Sequence, residues 1–265
     1  MFLTHKKGLK LICKNPVLLY GYGGFRVSLT PHYAPHRMLW LERGGVFAIA
    51  NIRGGNEYGE AWHQAGIMEK KQNVFDDFIG AAEWLIANKY TSPSKLAIRG
   101  RSNGGLLTTA CLTQRPDLFG AVVSEVPLTD MLRFHKFSVG RYWLQEYGNA
   151  EENAEHFEFL RKYSPLHNLK QEVAYPATFV TTAENDDRVA PLHAKKFVAA
   201  LQNLSPGEAP ILLRMEAKSG HGAGKPLDKQ IAEQTDVYTF LYKVLQIETK
   251  PIKTVAQNTI DTAGK

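Results

Sequence analysis

The chain has little of what marks a metal-bound, membrane or exported protein. It has two cysteines, Cys13 and Cys111, far apart in 265 residues. They form no CxxC pair, so neither a zinc-ribbon type of metal site nor a disulfide framework is expected. The longest apolar runs, such as Val17–Tyr20 and Val46–Ala50, are strand-sized and far short of the ~18 residues of a membrane span. The start, Met-Phe-Leu-Thr-His-Lys-Lys, places its charge after the apolar residues and does not read as a secretory signal. A reducing, cytoplasmic setting is the expectation. There is no internal repeat and no low-complexity stretch. The positive excess is small, with 32 Lys and Arg against 26 Asp and Glu. The basic residues do not gather along one element and no aromatic RNA-binding box accompanies them, so no nucleic-acid or membrane partner is expected.

What remains is an ordinary globular composition, 44% hydrophobic and 22% charged. At ~150 residues per domain the length gives one to two domains, and α/β folds often spend all of it on one. Short β-like runs alternate with helical periods. Strands are expected at Pro16–Tyr20, Gly45–Ile52, Lys95–Arg99, Gly120–Val126, Ala177–Thr182 and Ile211–Glu216. Helices are expected at Val74–Asn88, Asn103–Gln114, His193–Leu201 and Asp228–Leu245. This order predicts a mostly parallel central sheet flanked by helices. The alternation stops between Leu128 and Val173, a helical and aromatic stretch that reads as an insertion over the sheet. Residues 1–15 read as an arm with a β-like start, and the polar stretch 246–265 as a tail that frays.

The sharpest local signal is Gly100-Arg101-Ser102-Asn103-Gly104-Gly105. It fits G-x-S-x-G and falls between an expected strand and an expected helix, the context of the nucleophile elbow of α/β hydrolases. The strained turn needs small residues on both sides of the serine. The Asn103 N–H then points to where an oxyanion would form. A serine hydroxyl needs a base and an orienting acid, which follow it in the chain in this fold. Of nine histidines, His221 stands out, because Gly220-His221-Gly222-Ala223-Gly224 lets an imidazole swing over a nucleophile. The other eight, His63 and His193 among them, read as surface or packing residues. The acid is sought just past Ala177–Thr182, where Glu184, Asp186 and Asp187 stand; spacing does not choose between the two aspartates. The loop Tyr20-Gly21-Tyr22-Gly23-Gly24-Phe25 follows an early strand, where this fold draws its second oxyanion donor. Arg26 breaks a GxGxxG pattern, so the loop is not a dinucleotide fingerprint.

Taken together, YGYGGF at Tyr20–Phe25, Arg53-Gly54-Gly55, GRSNGG at Gly100–Gly105, Arg115-Pro116-Asp117-Leu118-Phe119, Asp186-Asp187-Arg188-Val189 and Gly220–Gly224 resemble the catalytic domain of the prolyl oligopeptidase family. The resemblance spans roughly residues 1–245. It implies an α/β-hydrolase fold, with Ser102 as nucleophile, Asp186 as acid and His221 as base. It implies an oxyanion hole of the Tyr22 hydroxyl and the Asn103 N–H. It also implies a proline slot in which an indole lies flat on the pyrrolidine ring. Trp143 and Tyr147 match that slot, Phe25, Leu128 and Val189 match its walls, and Arg188 matches an arginine that binds a substrate carbonyl. Leu128 stands where the family carries a valine. An acidic floor, as in the related oligopeptidase B, would suit Lys or Arg instead, and no acidic pair clearly takes that part.

The implied activity is serine endopeptidase cleavage after proline in oligopeptides, with no cofactor and no metal. Family members carry a seven-bladed propeller ahead of the hydrolase domain, and this chain contains no blade repeats. A single hydrolase domain without that propeller is therefore expected, with an apolar face open to self-association. Two alternatives stay open: an esterase or acyl-peptide hydrolase using the same triad, and a truncated fragment that keeps the fold without turnover.

Overall fold

In the computed structural model, residues 1–222 and 224–248 are described. The expected tail after Gln246 lies almost wholly outside them. Seven strands form one sheet: β1 (Phe2–Thr4), β2 (Val17–Tyr20), β3 (Val46–Ile49), β4 (Leu96–Arg101), β5 (Ala121–Glu125), β6 (Ala177–Ala183) and β7 (Ile211–Glu216). Their spatial order is β1-β3-β2-β4-β5-β6-β7. Only β1 is antiparallel, pairing Phe2 with Ile49 and Thr4 with Phe47.

Alternation along the strands splits the apolar residues between two faces. On one face Val17, Leu19, Val46, Ala48, Leu96, Ile98, Val122 and Val180 pack with α3 (Gln72–Ala87), α4 (Asn103–Gln114) and α7 (Leu192–Leu204). On the other, Leu18, Phe47, Ile49, Ala97, Val123 and Phe179 pack with α1 (Pro35–Glu42) and α8 (Leu227–Val244). Strands β2 to β6 are buried on both faces almost throughout, which explains why they read as continuous apolar runs. Two short helices, α1 and α2 (Glu60–Gln64), were not anticipated. Pro35 opens α1, and only Trp40 and Leu41 are buried in it, so its apolar pattern is too brief to register as a period.

The segment 128–173 departs from the helical expectation. It is mostly single turns, at 134–136, 140–143, α5 (Leu144–Tyr147) and 165–167, with one longer helix, α6 (Ala154–Tyr163). Asn153 caps α6, its side chain accepting from the Glu155 and His156 amides, and no comparable cap starts α5. Among the described residues, no helix is long and apolar enough to cross a membrane.

His193, at the start of α7, fastens this segment to the body of the protein. It is 2% exposed. Its Nδ1 accepts from the Thr129 and Asp130 amides at 3.3 and 3.1 Å, and Phe137 packs edge-on against its ring at 5.8 Å. Burial pushes the imidazole down to about 4, and a protonated Nδ1 could not accept those amides. The folded protein therefore binds fewer protons than the unfolded chain between the ordinary histidine value and about 4. Stability contributed by neutral His193 should be intact above pH ~6.5 and be lost as pH falls toward 4, by about 3 kcal/mol in total. Urea unfolding of the wild type and His193→Gln across this range checks it; equal pH slopes for the two proteins would refute it.

Candidate active site

The residues singled out from the sequence meet at the carboxyl edge of the sheet, where an open parallel sheet presents its loops. Ser102 follows β4 directly and precedes the first residue of α4. Its backbone, at φ 59° and ψ −115°, lies in a region that disfavours any side chain. The reason for the flanking glycines is measurable. A Cβ on Gly100 would stand 2.0 Å from the Gly104 carbonyl oxygen. One on Gly104 would stand 2.7 Å from the Gly21 carbonyl, and one on Gly105 2.7 Å from Pro127 Cα.

Asp186 follows β6 and His221 follows β7. The two loops are stitched together above the sheet: Glu184 N–H donates to Glu216 O at 2.9 Å and Asn185 N–H to Ser219 O at 3.0 Å. His221 Nδ1 then lies 2.7 Å from Asp186 Oδ2 and 3.0 Å from Oδ1. The Asp186 side chain is fully buried, whereas His221 is 18% exposed. Oδ1 also accepts from the Arg188 and Val189 amides at 3.0 and 2.8 Å. The geometry thus distinguishes the two aspartates that spacing left equal, since Asp187 is exposed. Arg101, the variable residue before the serine, donates from Nη2 to the His221 carbonyl, joining the histidine loop to the elbow.

The other half of the site is the loop after β2. The Tyr22 phenol lies close to Ser102. Burial pushes that phenol up to about 12, against the lowering influence of the nearby Arg188 guanidinium. Tyr22 is therefore a neutral donor at any working pH. The Asn103 N–H belongs to the first turn of α4, whose amides have no helical acceptor. Its side chain is engaged elsewhere: Nδ2 donates to Tyr22 O at 2.5 Å, and Oδ1 accepts from Tyr147 Oη at 2.7 Å.

Of the expected slot residues, Phe25 and Trp143 are partly open and meet edge-to-face at 6.3 Å. They also line a cavity of about 220 Å³ together with Tyr142, His63 and Glu146, whose lining includes neither Ser102 nor His221. Arg188 is exposed beside the site. Leu128 and Val189 are buried in the main core. Tyr147, expected in the slot beside Trp143, is as buried as Leu128 and Val189. It is fully buried (0% exposed), edge-on to Phe25 and Phe134 at 5.6 and 5.2 Å, with its hydroxyl spent on Asn103.

The residues that sequence reasoning missed are ionisable and buried. Lys71, one of a mixed-sign run in the sequence, is 1% exposed and donates to Glu146 Oε1 and Gly23 O, each at 3.0 Å. His63 Nε2 faces Glu146 Oε2 at 3.0 Å. Beneath the elbow, Arg99 forks onto both Glu125 oxygens at 2.9 and 3.0 Å. All three contacts join residues remote in sequence, and no local pattern announces them. Among the described residues, no three His, Cys, Asp or Glu side chains converge as metal ligands.

A serine on a strained turn, a histidine held by a buried carboxylate and a phenol close to the serine are parts that acyl-transfer sites use; among the described residues no hydrogen bond joins Ser102 Oγ to His221. A family model described as the prolyl oligopeptidase family matches residues 31–248. The prolyl endopeptidase of Elizabethkingia meningoseptica is 48% identical over 245 residues, covering 92% of this chain and 35% of that protein. The prolyl endopeptidase of Dictyostelium discoideum is 47% identical over 253 residues, covering 94% and 33%. A solved structure from a study of two prolyl endopeptidases superposes with a TM-score of 0.91 at 52% identity, covering 93% of this chain and 36% of that one. The chain thus spans about a third of the length of the relatives it matches.

Covalent labelling by a fluorophosphonate should mark one residue. Ser102→Ala is expected to abolish it, and a folded Ser102→Ala protein that still labels at one equivalent would refute the assignment. Asp186→Asn should slow labelling by on the order of 10³-fold or more, while Asp187→Asn leaves it within a few-fold.

Proposed function

The chain belongs to the prolyl oligopeptidase family, and from that premise we propose that it carries the machinery of a serine peptidase cutting on the carboxyl side of proline in oligopeptides. The observation that carries this reading is the Asp186–His221 pair standing at one sheet edge with the Ser102 elbow. In the proposed sequence Ser102 Oγ attacks the carbonyl carbon while His221 Nε2 takes its proton. Asp186 holds Nδ1–H and stabilises the imidazolium. The Tyr22 hydroxyl and the Asn103 N–H bind the carbonyl oxygen as it becomes negative, each worth about 10²–10³ in rate by analogy with other oxyanion donors. The C–N bond breaks as His221 returns the proton to the leaving amine. Water then repeats the steps on the acyl-serine and regenerates Ser102.

Specificity for proline is proposed to reside in Phe25 and Trp143. A flat aromatic surface suits a rigid ring whose nitrogen carries no N–H, and stacking of this kind contributes about 0.5–1.5 kcal/mol beyond area. Glu146, the acid nearest the slot, does not offer a free negative charge to a basic side chain. Burial would raise its carboxyl, but the Lys71 ammonium and the bonds from His63, Lys71 and Phe25 hold it below its ordinary range. This favours proline over Lys or Arg. Arg188, exposed at the rim, is proposed to bind a substrate carbonyl upstream of the scissile bond. The whole chain is proposed to be one hydrolase domain, with 1–15 as arm and 128–173 as cover.

The deciding experiment is turnover of a Gly-Pro chromogenic amide beside a short-chain ester. Hydrolysis of both supports the proposal; ester hydrolysis alone would replace it with an acyl hydrolase, and loss of both with an inactive fold. Trp143→Ala should raise KM for the proline amide by about tenfold and leave the ester within about twofold. Equal losses on both substrates would make Trp143 structural.

A further inference from the structure

We propose that Glu146, acting with Lys71, is a positioning residue that sets where the Tyr22 hydroxyl stands over Ser102. The proposal rests on the oxyanion role given to Tyr22 above. The loop after β2 is held in an unfavourable shape. Gly23, Phe25 and Arg26 all have positive φ, at 66°, 55° and 57°, and two of the three carry side chains. Such a run persists only where surrounding contacts over-determine it. Those contacts fall on closely spaced backbone groups. Tyr22 O accepts from Asn103 Nδ2 at 2.5 Å, Gly23 O from Lys71 Nζ at 3.0 Å, and Phe25 N–H donates to Glu146 Oε1 at 3.2 Å. Space is equally tight: a Cβ on Gly24 would stand 2.6 Å from Asn103 Nδ2 and 2.9 Å from Glu146 Oε1.

Among the described residues, the Glu146 carboxylate has no other partners than these. One oxygen serves Phe25 and Lys71, the other faces His63. A carboxylate and an ammonium, 6% and 1% exposed at the side chain, are used to grip the loop bearing Tyr22. The place of Glu146 in the chain explains what the grip is coupled to. Glu146 and Tyr147 lie on the single turn of α5, directly after Trp143. Tyr147 completes the circuit through Asn103, the residue whose N–H is the second proposed donor. One turn of helix therefore holds a face of the slot at one end and both oxyanion donors at the other. Trp143 is thereby joined to the Tyr22 loop through two buried links.

The test is a double-mutant cycle on kcat for the proline amide in the full chain, with Tyr22→Phe and Glu146→Gln. Tyr22→Phe is expected to lower kcat by on the order of 100-fold. Glu146→Gln is expected to lower it by about tenfold in the wild type, as for a donor displaced by less than an ångström, and by less than about twofold when Tyr22 is already replaced by Phe. Equal fold losses in both backgrounds, or no loss in the wild type, would overturn the positioning role while leaving the oxyanion assignment standing. An unchanged kcat in Tyr22→Phe would overturn the oxyanion assignment and this proposal with it. Glu146→Gln leaves the Lys71 ammonium buried without a counter-charge. If that variant does not fold, Lys71→Met with Glu146→Gln removes both charges and takes its place in the same cycle, with the same outcomes.

Discussion

A serine at φ 59° and ψ −115° is the constraint on which the rest of the site depends. The conformation costs about 1–3 kcal/mol and has to be imposed from outside. The Ser102 amide donates to Glu125 O at 2.8 Å, tying the elbow to β5. The Ser102 carbonyl accepts from the Gly105 and Leu106 amides at 2.8 and 3.1 Å, which starts α4 at once. Helix and strand can approach this closely only because Gly100, Gly104 and Gly105 have no Cβ to collide. The hydroxyl is thereby lifted out of the core to the edge where the other loops end.

The ion pairs buried around that turn include Arg99–Glu125 below the elbow and Lys71–Glu146 beside the Tyr22 loop. Burial would raise the Glu125 carboxyl, and the Arg99 guanidinium holds it below its ordinary value instead. Pairs of this kind are poor sources of stability, because desolvation takes back most of the Coulomb gain. Hydrophobic residues of like volume would serve the core as well. What an apolar pair could not do is direct fixed hydrogen bonds at chosen atoms. The placement of these charges matches that use: each sits next to a backbone segment in positive φ, at Ser102 and at Gly23–Arg26.

The two halves of the site are supported differently. The Asp186–His221 half hangs from the β6–β7 ladder, whose hydrogen bonds continue into the loops as Glu184–Glu216 and Asn185–Ser219. In the Tyr22 half the ladder stops sooner, at the bond from the Gly21 amide to Arg99 O at 3.4 Å. Side chains take over there, from α4, from Lys71 before α3 and from α5. The 128–173 segment supplies part of that support and also carries Trp143, and it is fastened to the body of the protein through His193.

Much of this was legible in the residues themselves. Strands β2, β4, β5, β6 and β7 and helices α3, α4, α7 and α8 fall within a few residues of where apolar periodicity placed them. The reason is that each is long enough to show its period and most are flanked by Gly or Pro. Ser102 and His221 carried local signatures, because a strained turn and a swinging imidazole both demand glycine next to them. The family resemblance picked Asp186, and the structure gives the physical ground for it: two backbone amides and an imidazole converge on its carboxylate, while Asp187 faces water. What only the tertiary structure decided is the set of long-range polar contacts. Lys71 read as one of three charges in a run, Glu146 as a helix residue and His63 as one more surface or packing histidine. Their meeting under the Tyr22 loop spans 75 and 83 positions of chain. A period of two or of 3.6 reports which face of an element is apolar, whereas a buried charge breaks that pattern at a single position. Its partner is chosen by how distant elements pack, and no local rule in the sequence records that choice.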